Sequence, residues 1–386
     1  MKSILDKNFK GKKVLVRVDF NVPLDKEQNI LDDGRIKASL PTINKLLNDK
    51  AKVILMSHLG RPNCKDKKYS LKAIVYRLQE LLGVRVIFSN DCIGASSEKL
   101  ANDLNNGEVL LLENLRFYNE EKLGEKKFSK NLSRLADVYV NDAFGSAHRK
   151  HSSTSVICSF FPHEKYFGLL LKNEVENLEK ALNVPKRPFT AIIGGAKIAG
   201  KIDVMLSLID VVDNLIIGGG MAYTFVKAMG GNTGKSLVEK DKVKLAKNIM
   251  KKSRDLGVKL ILPTDSVNAD SFSNDAKKNH SDILNIEDNY MGLDIGEKSI
   301  HLFSKVIEGS NTIIWNGPMG VFEMSNFEKG TKMICEAVCR TTSNGAFSLV
   351  GGGDSVSAVN RFGLSDNVSY ISTGGGAMLE YLEGKK

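Results

Sequence analysis

A chain of 386 residues is well past the size at which one hydrophobic core stops growing, so two domains of roughly 150–200 residues are expected. Apolar residues make up 42% and charged residues 26%, and no stretch approaches the roughly 20 apolar residues that span a bilayer, which argues against membrane integration. The net charge of +10 favours anionic partners, but acids alternate with the lysines, as in Glu120-Glu121-Lys122, so phosphorylated metabolites fit better than nucleic acid.

The N-terminus carries Asp6 and no apolar export segment, so the cytosol is expected. Cys64, Cys92, Cys158, Cys335 and Cys339 form no CxxC pair and leave an odd count. That fits a reducing compartment, with the cysteines as small buried hydrophobes.

In chain order, apolar runs at residues 14–18, 53–56, 84–88, 109–112 and 138–140 are expected to form buried strands. Helical spacing lies between them, as in Leu40-Ile43-Leu46-Leu47 and Leu71-Ile74-Val75-Leu78. Residues 169–182 then read as one amphipathic helix stopped before Pro185, a candidate connector. Runs at 189–193, 215–217, 258–262, 312–315, 347–350 and 368–371 repeat the alternation. Strand alternating with helix implies two α/β domains built on parallel sheets.

Ligands of open parallel sheets bind beyond the carboxyl ends of the strands. In the first half those positions carry Asp19 and Asn21, His58 and Arg61, Arg116, and His148 with Arg149. Guanidinium groups gathered there repel one another unless an anion sits among them, and a small phosphorylated acid suits their planar forks. In the second half the same positions are nearly bare backbone: Gly194-Gly195, Gly218-Gly219-Gly220, Asn316-Gly317-Pro318, Gly351-Gly352-Gly353 and Gly374-Gly375-Gly376. Glycine turns opening into helices suit nucleotide phosphates. Lys197 is expected just inside a helix start, where a cation is unfavourable unless it meets a phosphate. Asp354 among phosphate-binding turns calls for a bridging Mg²⁺.

Residues 229–236 imitate a P-loop but place Met229 where the first glycine belongs, and no glycine cluster completes the dinucleotide GxGxxG pattern. No HExxH or zinc spacing appears.

The string Arg17-Val18-Asp19-Phe20-Asn21-Val22-Pro23-Leu24 resembles the signature of the phosphoglycerate kinases. Further landmarks follow in order at residues 57–62 (SHLGRP), 113–117 (ENLRF), 141–149 (NDAFGSAHR), 194–197, 218–221, 262–265, 315–317, 321–323, 351–354 and 372–377. The resemblance covers essentially the whole chain, apart from residues 160–165 and the end after Gly384. It implies two Rossmann-like lobes facing across a hinged cleft: residues 1–168, a connecting helix at 169–184, and a nucleotide lobe at 185–369. A tail from about residue 370 to 386 is implied to return to the first lobe.

The resemblance further implies that Asp19, Asn21, Arg35, His58, Arg61, Arg116, His148 and Arg149 hold 3-phosphoglycerate or 1,3-bisphosphoglycerate. Lys197, Lys201, Gly219, Asn316, Pro318, Glu323, Gly351, Gly352, Gly353, Asp354 and Ser355 are implied to hold ADP or ATP, with Asp354 on Mg²⁺. Ser355 stands where some members carry threonine, which keeps the hydroxyl. Lys197, Arg35 and the Gly374–Gly376 amides, Gly375 central among them, are the candidates for contacting the transferring phosphoryl group. Both acceptors are already anionic at neutral pH, so such a site needs alignment and charge neutralisation, not a base. A monomer is expected. A two-lobed anion receptor and an NAD-dependent dehydrogenase are the competing readings. The Lys197 and Asp354 equipment counts against the first, and the incomplete glycine fingerprints count against the second.

Overall fold

The computed structural model describes residues 2–384 and divides the chain into two units, Met1–Glu176 and Asn177–Lys386, the division falling inside the helix Leu169–Leu182. In the first unit, strands β1 (Lys2–Ser3), β2 (Lys13–Arg17), β3 (Lys52–Met56), β4 (Val86–Phe88), β5 (Val109–Leu111), β6 (Val138–Asn141) and β7 (Lys165–Phe167) form one parallel sheet. Their order is β1-β7-β6-β2-β3-β5-β4. Strands β2 to β6 are the expected apolar runs. Strands β1 and β7, two and three residues long, are too short to leave a pattern.

Alternate residues of these strands serve opposite faces. Val14, Val16, Val53, Leu55, Val138 and Val140 pack with Ile36, Ile43 and Leu46 of the helix Gly34–Asn48. Leu15, Ile54, Met56, Leu110 and Tyr139 pack instead with Phe128 and Leu132 of the helix Lys126–Ser133. Because both faces are covered, the strands read as unbroken apolar runs, not as alternating ones. The chain builds outward from β2 through β3, then crosses back to place β6 on the other side of β2. A crevice opens where the order reverses, beyond the carboxyl ends of β2 and β6.

The second unit contains β8 (Phe189–Ile193), β9 (Asn214–Ile217), β10 (Asn232–Thr233), β11 (Lys259–Ile261), β12 (Asp265–Ala269), β13 (Lys278–Asp282), β14 (Asn285–Ile286), β15 (Met291–Ile295), β16 (Thr312–Asn316), β17 (Phe347–Val350) and β18 (Tyr370–Ile371). Its main sheet runs β11-β9-β8-β16-β17-β18, all parallel, which is the dinucleotide-fold order with the reversal between β8 and β16. An antiparallel sheet, β13-β12-β15, and a β10-β14 pair are added to it. Neither small sheet is foreseen from sequence, since β13 contains no apolar residue at all.

The helix Leu169–Leu182 has the bounds expected of it. Within the first unit its start is anchored by Thr42 Oγ1 and Asp142 Oδ1, which accept from the Leu169 and Leu171 amides at 2.8 and 3.2 Å. The last two residues of the tail lie outside the described residues. Within the tail, Gly375–Leu382 forms a helix that packs on Ile202–Ile209. All five cysteines are free; Cys92, Cys335 and Cys339 are buried and Cys158 half-buried. Cys64 departs from the expectation, being exposed in the polar segment between Pro62 and Lys67 where no apolar neighbour in sequence draws it inward. No described helix is long and apolar enough to cross a membrane.

Candidate functional site

In the first unit the turn after β2 is organised by Asp19, which is buried. Its Oδ1 accepts from the Asn21 amide at 3.2 Å and its Oδ2 from Arg35 Nη1 at 3.0 Å. Arg35 is the second residue of its helix, where a cation opposes the dipole, so Asp19 supplies the compensating charge. Asn21 Oδ1 accepts from the Gly60 amide at 2.7 Å, and Ser57 Oγ accepts from the Phe20 amide at 2.9 Å. Both bonds tie the turn after β2 to the turn after β3.

Arg116, beyond β5, donates from Nη1 to the Gly60 carbonyl at 2.7 Å. Burial, reinforced by the positive charges of Arg17 and Arg149, pushes its pKa down to about 10. Burial pushes His151 down to about 4, helped by Arg116, Arg149, Arg17 and His148. His58 is held well below the usual histidine range, chiefly by burial and then by Arg17, Arg116, Arg35 and His151. These mutual influences place Arg17, Arg35, Arg116, Arg149, His58, His148 and His151 around one rim.

Arg61 and Arg149 are exposed, and their side chains make no hydrogen bond or ion pair among the described residues. An anion seated on this rim would relieve the crowding that lowers Arg116. Arg17 and His151 are not among the expected site residues. The signal for Arg17 was a charge directly after the apolar run Val14-Leu15-Val16, where the strand is still buried.

In the second unit the turns after β8, β9 and β16 are stitched together by main-chain bonds. The Gly194, Gly195 and Gly219 amides donate to the carbonyls of Asn316, Pro318 and Met319 at 2.9, 2.9 and 3.1 Å. Lys201 Nζ donates to the Gly194 and Asn316 carbonyls at 2.6 and 3.1 Å, so the ammonium sits at the switch point itself. Burial lowers its pKa to about 8, while Asp354 partly holds it up. Asn316 is buried, and its Nδ2 has no partner among the described residues, leaving a donor for a ligand oxygen.

Lys197 is placed differently from expectation. The helix begins only at Ile202, with Lys201 at its cap, and Lys197 lies in the preceding turn, exposed and unpaired among the described residues. Within this turn the Ile198 amide donates to Glu239 Oε2 at 2.5 Å, and Gly200 disfavours earlier nucleation. It is Lys201 that meets the helix start.

The helix Gly353–Arg361 starts directly after β17, presenting Gly353, Asp354 and Ser355 in its first turn. Ser355 Oγ accepts from the Gly317 amide at 2.5 Å. Asp354 is exposed, and no cluster of three or more metal-binding side chains occurs among the described residues. A Mg²⁺ ion here would therefore rest on one carboxylate plus phosphate oxygens, a donor set that suits it. Of the three glycines opening the helix Gly375–Leu382, Gly374 donates weakly to Ser372 Oγ at 3.4 Å, while the Gly375 and Gly376 amides have no protein acceptor among the described residues. Glu323 is exposed, with its carboxylate unpaired among the described residues.

A family model described as phosphoglycerate kinase matches residues 4–385. The phosphoglycerate kinase of Porphyromonas gingivalis is 52% identical over 402 residues, covering 98% of this chain and 96% of that one. The cytosolic phosphoglycerate kinase of Triticum aestivum is 52% identical over 378 residues, covering 98% and 94%. The solved structure of phosphoglycerate kinase from Coxiella burnetii matches with a TM-score of 0.89 at 38% identity, covering 100% of this chain and 96% of that one. Likeness of this degree, sustained over almost the full length in both sequence and fold, means that the chain belongs to the phosphoglycerate kinase family.

Proposed function

We propose that the two rims divide the labour of the family's reaction, the cationic rim of the first unit holding the phosphorylated acid and the glycine rim of the second holding the nucleotide. The reaction is reversible phosphoryl transfer from 1,3-bisphosphoglycerate to ADP, giving 3-phosphoglycerate and ATP, a step of glycolysis. In this reading Asp19, Asn21, Arg35, His58, Arg61, Arg116, His148 and Arg149 belong to the acid. Lys197, Lys201, Gly219, Asn316, Pro318, Glu323, Ser355 and the glycines at 351–353 belong to the nucleotide. Asp354 would hold Mg²⁺, whose part is to neutralise phosphate charge. The observation that carries the reading is the contrast in construction: cations gathered on one unit, orphaned amides and the partnerless Asn316 Nδ2 on the other.

Neither reacting oxygen needs deprotonating, so these residues work by orienting the reactants and stabilising charge on the transferring group. The donor and acceptor are held on different units, so a hinge motion that brings them in line and excludes water is part of the proposal. Action as a cytosolic monomer is also proposed; relatives include both cytosolic and chloroplastic forms.

Calorimetric titration of Arg61→Ala and Arg149→Ala tests the division. Each is expected to weaken 3-phosphoglycerate binding by about tenfold or more, the scale of a lost charge-assisted hydrogen bond, and to leave MgADP affinity unchanged. Equal loss of both ligands would refute the assignment of rims.

Lys201 gives the second unit a pH signature. Its ammonium is charged below about 8 and neutral above it in the free protein. A bound phosphate raises that pKa, so MgADP affinity should fall as pH rises through 8, by up to about tenfold per unit. Lys201→Met should bind more weakly and lose the slope; a wild-type profile flat from about pH 7 to 9.5 would count against this role.

A further inference from the structure

Beneath the cationic rim lies a buried polar chain to which the reading above gives no task. Arg17 closes β2 and is 1% exposed. Its Nε donates to Ser153 Oγ at 3.0 Å, its Nη1 to the Val18 carbonyl at 2.5 Å, and its Nη2 faces His58 Nδ1 at 3.0 Å. Ser153 passes the charge on: its Oγ donates to Glu121 Oε1 at 2.5 Å and its amide to Glu121 Oε2 at 3.0 Å. Glu121 is fully buried, so the two charges of this chain compensate each other out of reach of solvent.

A guanidinium has only protons to offer, so His58 Nδ1 must accept and cannot carry a proton. The ring proton is thereby confined to Nε2, which has no protein partner and is not enclosed among the described residues. The other charged or titratable groups facing His58 are Arg35 from its helix, Arg116 beyond β5, and His151. All are cationic or neutral, and Asp19, the nearby acid, is already engaged by Arg35. Nothing there favours an imidazolium.

We propose that Arg17 is a positioning residue for the phosphorylated acid: its contact with Nδ1 locks His58 as the neutral tautomer protonated on Nε2. In that form His58 offers the ligand one directed hydrogen bond without adding a further positive charge to a crowded rim. Glu121, acting through Ser153, holds the guanidinium in place. The proposal rests on the reading that His58 belongs to the acid's site.

The test is ¹⁵N NMR of histidine-labelled protein, with His58 assigned by comparison with His58→Gln. In the wild type Nδ1 should stay unprotonated and Nε2 protonated from about pH 8 down to about pH 5, across the range where an ordinary histidine titrates. Arg17→Met should let His58 populate both tautomers and shift its titration upward, while burial, Arg116 and Arg35 still hold it below the ordinary histidine range. It should weaken 3-phosphoglycerate binding about tenfold at pH 8, with partial recovery as His58 becomes protonated and MgADP affinity unchanged. Arg17→Met/Glu121→Gln, which removes both buried charges together, should behave alike if the single variant folds poorly. A wild-type ring protonated on Nδ1 would overturn the proposal, as would a variant whose tautomer changes while its affinity and pH profile do not. Adding 3-phosphoglycerate to the wild type checks the underlying site reading separately. An unmoved His58 Nε2 resonance there would sink that reading even if the tautomer is as stated.

Discussion

Lys197→Ala is expected to lower kcat by about 10²-fold or more while the Kd for MgADP changes by no more than a few-fold. The two lysines of this turn are in opposite situations. Lys201 is fixed by two carbonyls and half-buried, so in the proposed reading its charge is part of the resting site and would act on bound nucleotide and transition state alike. Lys197 is exposed, and its side chain has no acceptor among the described residues, yet its backbone is framed by the Gly195 and Ile198 bonds to Pro318 and Glu239. An anchored backbone carrying a free cation is suited to meeting charge that appears only as the phosphoryl group moves. Because the side chain supports nothing in the fold, thermal stability of the variant should match the wild type. Steady-state kinetics with separate nucleotide titration decide the matter: near-normal kcat, or a loss confined to nucleotide affinity, removes Lys197 from the transition state.

The framework of both units was legible because their parallel sheets are covered on both faces. Burial on two sides leaves no room for polar alternation, so β2, β3, β8 and β17 stand out in the sequence as short apolar runs. The same logic explains what stayed hidden. Strand β13, Lys-Asn-His-Ser-Asp, is held by pairing with β12 and shows solvent every second residue, so its sequence resembles a polar loop. Strand order was not legible either, because pairing partners such as β8 and β16 are brought together by more than a hundred intervening residues whose path the local pattern does not encode.

Candidate site residues that follow a strand could be named from sequence because topology dictates where to look. Arg17 was passed over because it is the last residue of a strand, and a buried arginine is recognisable only once its distant partners, Ser153, His58 and Glu121, are seen around it. The placement of Lys197 failed for a related reason. The turn that carries Lys197 is held by Glu239, which accepts from the Ile198 amide 41 residues away, and Gly200 disfavours helix before Ile202. Local propensity cannot register such a distant tether.

Gly317→Ala is expected to destabilise the second unit by about 3–5 kcal/mol and to abolish measurable MgADP binding. Gly317 has φ +105°, a backbone region that side chains rarely adopt, and an added Cβ would lie 2.2 Å from the Gly194 carbonyl oxygen and 2.5 Å from Lys201 Nζ. Neither neighbour can yield cheaply. The Gly194 carbonyl already accepts from Lys201, and the Gly194 amide is bonded to the Asn316 carbonyl, so pushing the turns apart breaks the link between β8 and β16 where their order reverses. Gly345→Ala is the matching control, because Gly345 has φ +99° but nothing within 4 Å of its would-be Cβ. It should show backbone strain alone, about 1–2 kcal/mol, with nucleotide binding intact. Urea denaturation of the two variants, followed by a probe in the second unit, separates conformational cost from collision. Equal losses would mean that the turns after β8 and β16 have room to part, and that close contact between them is not what shapes the proposed nucleotide rim.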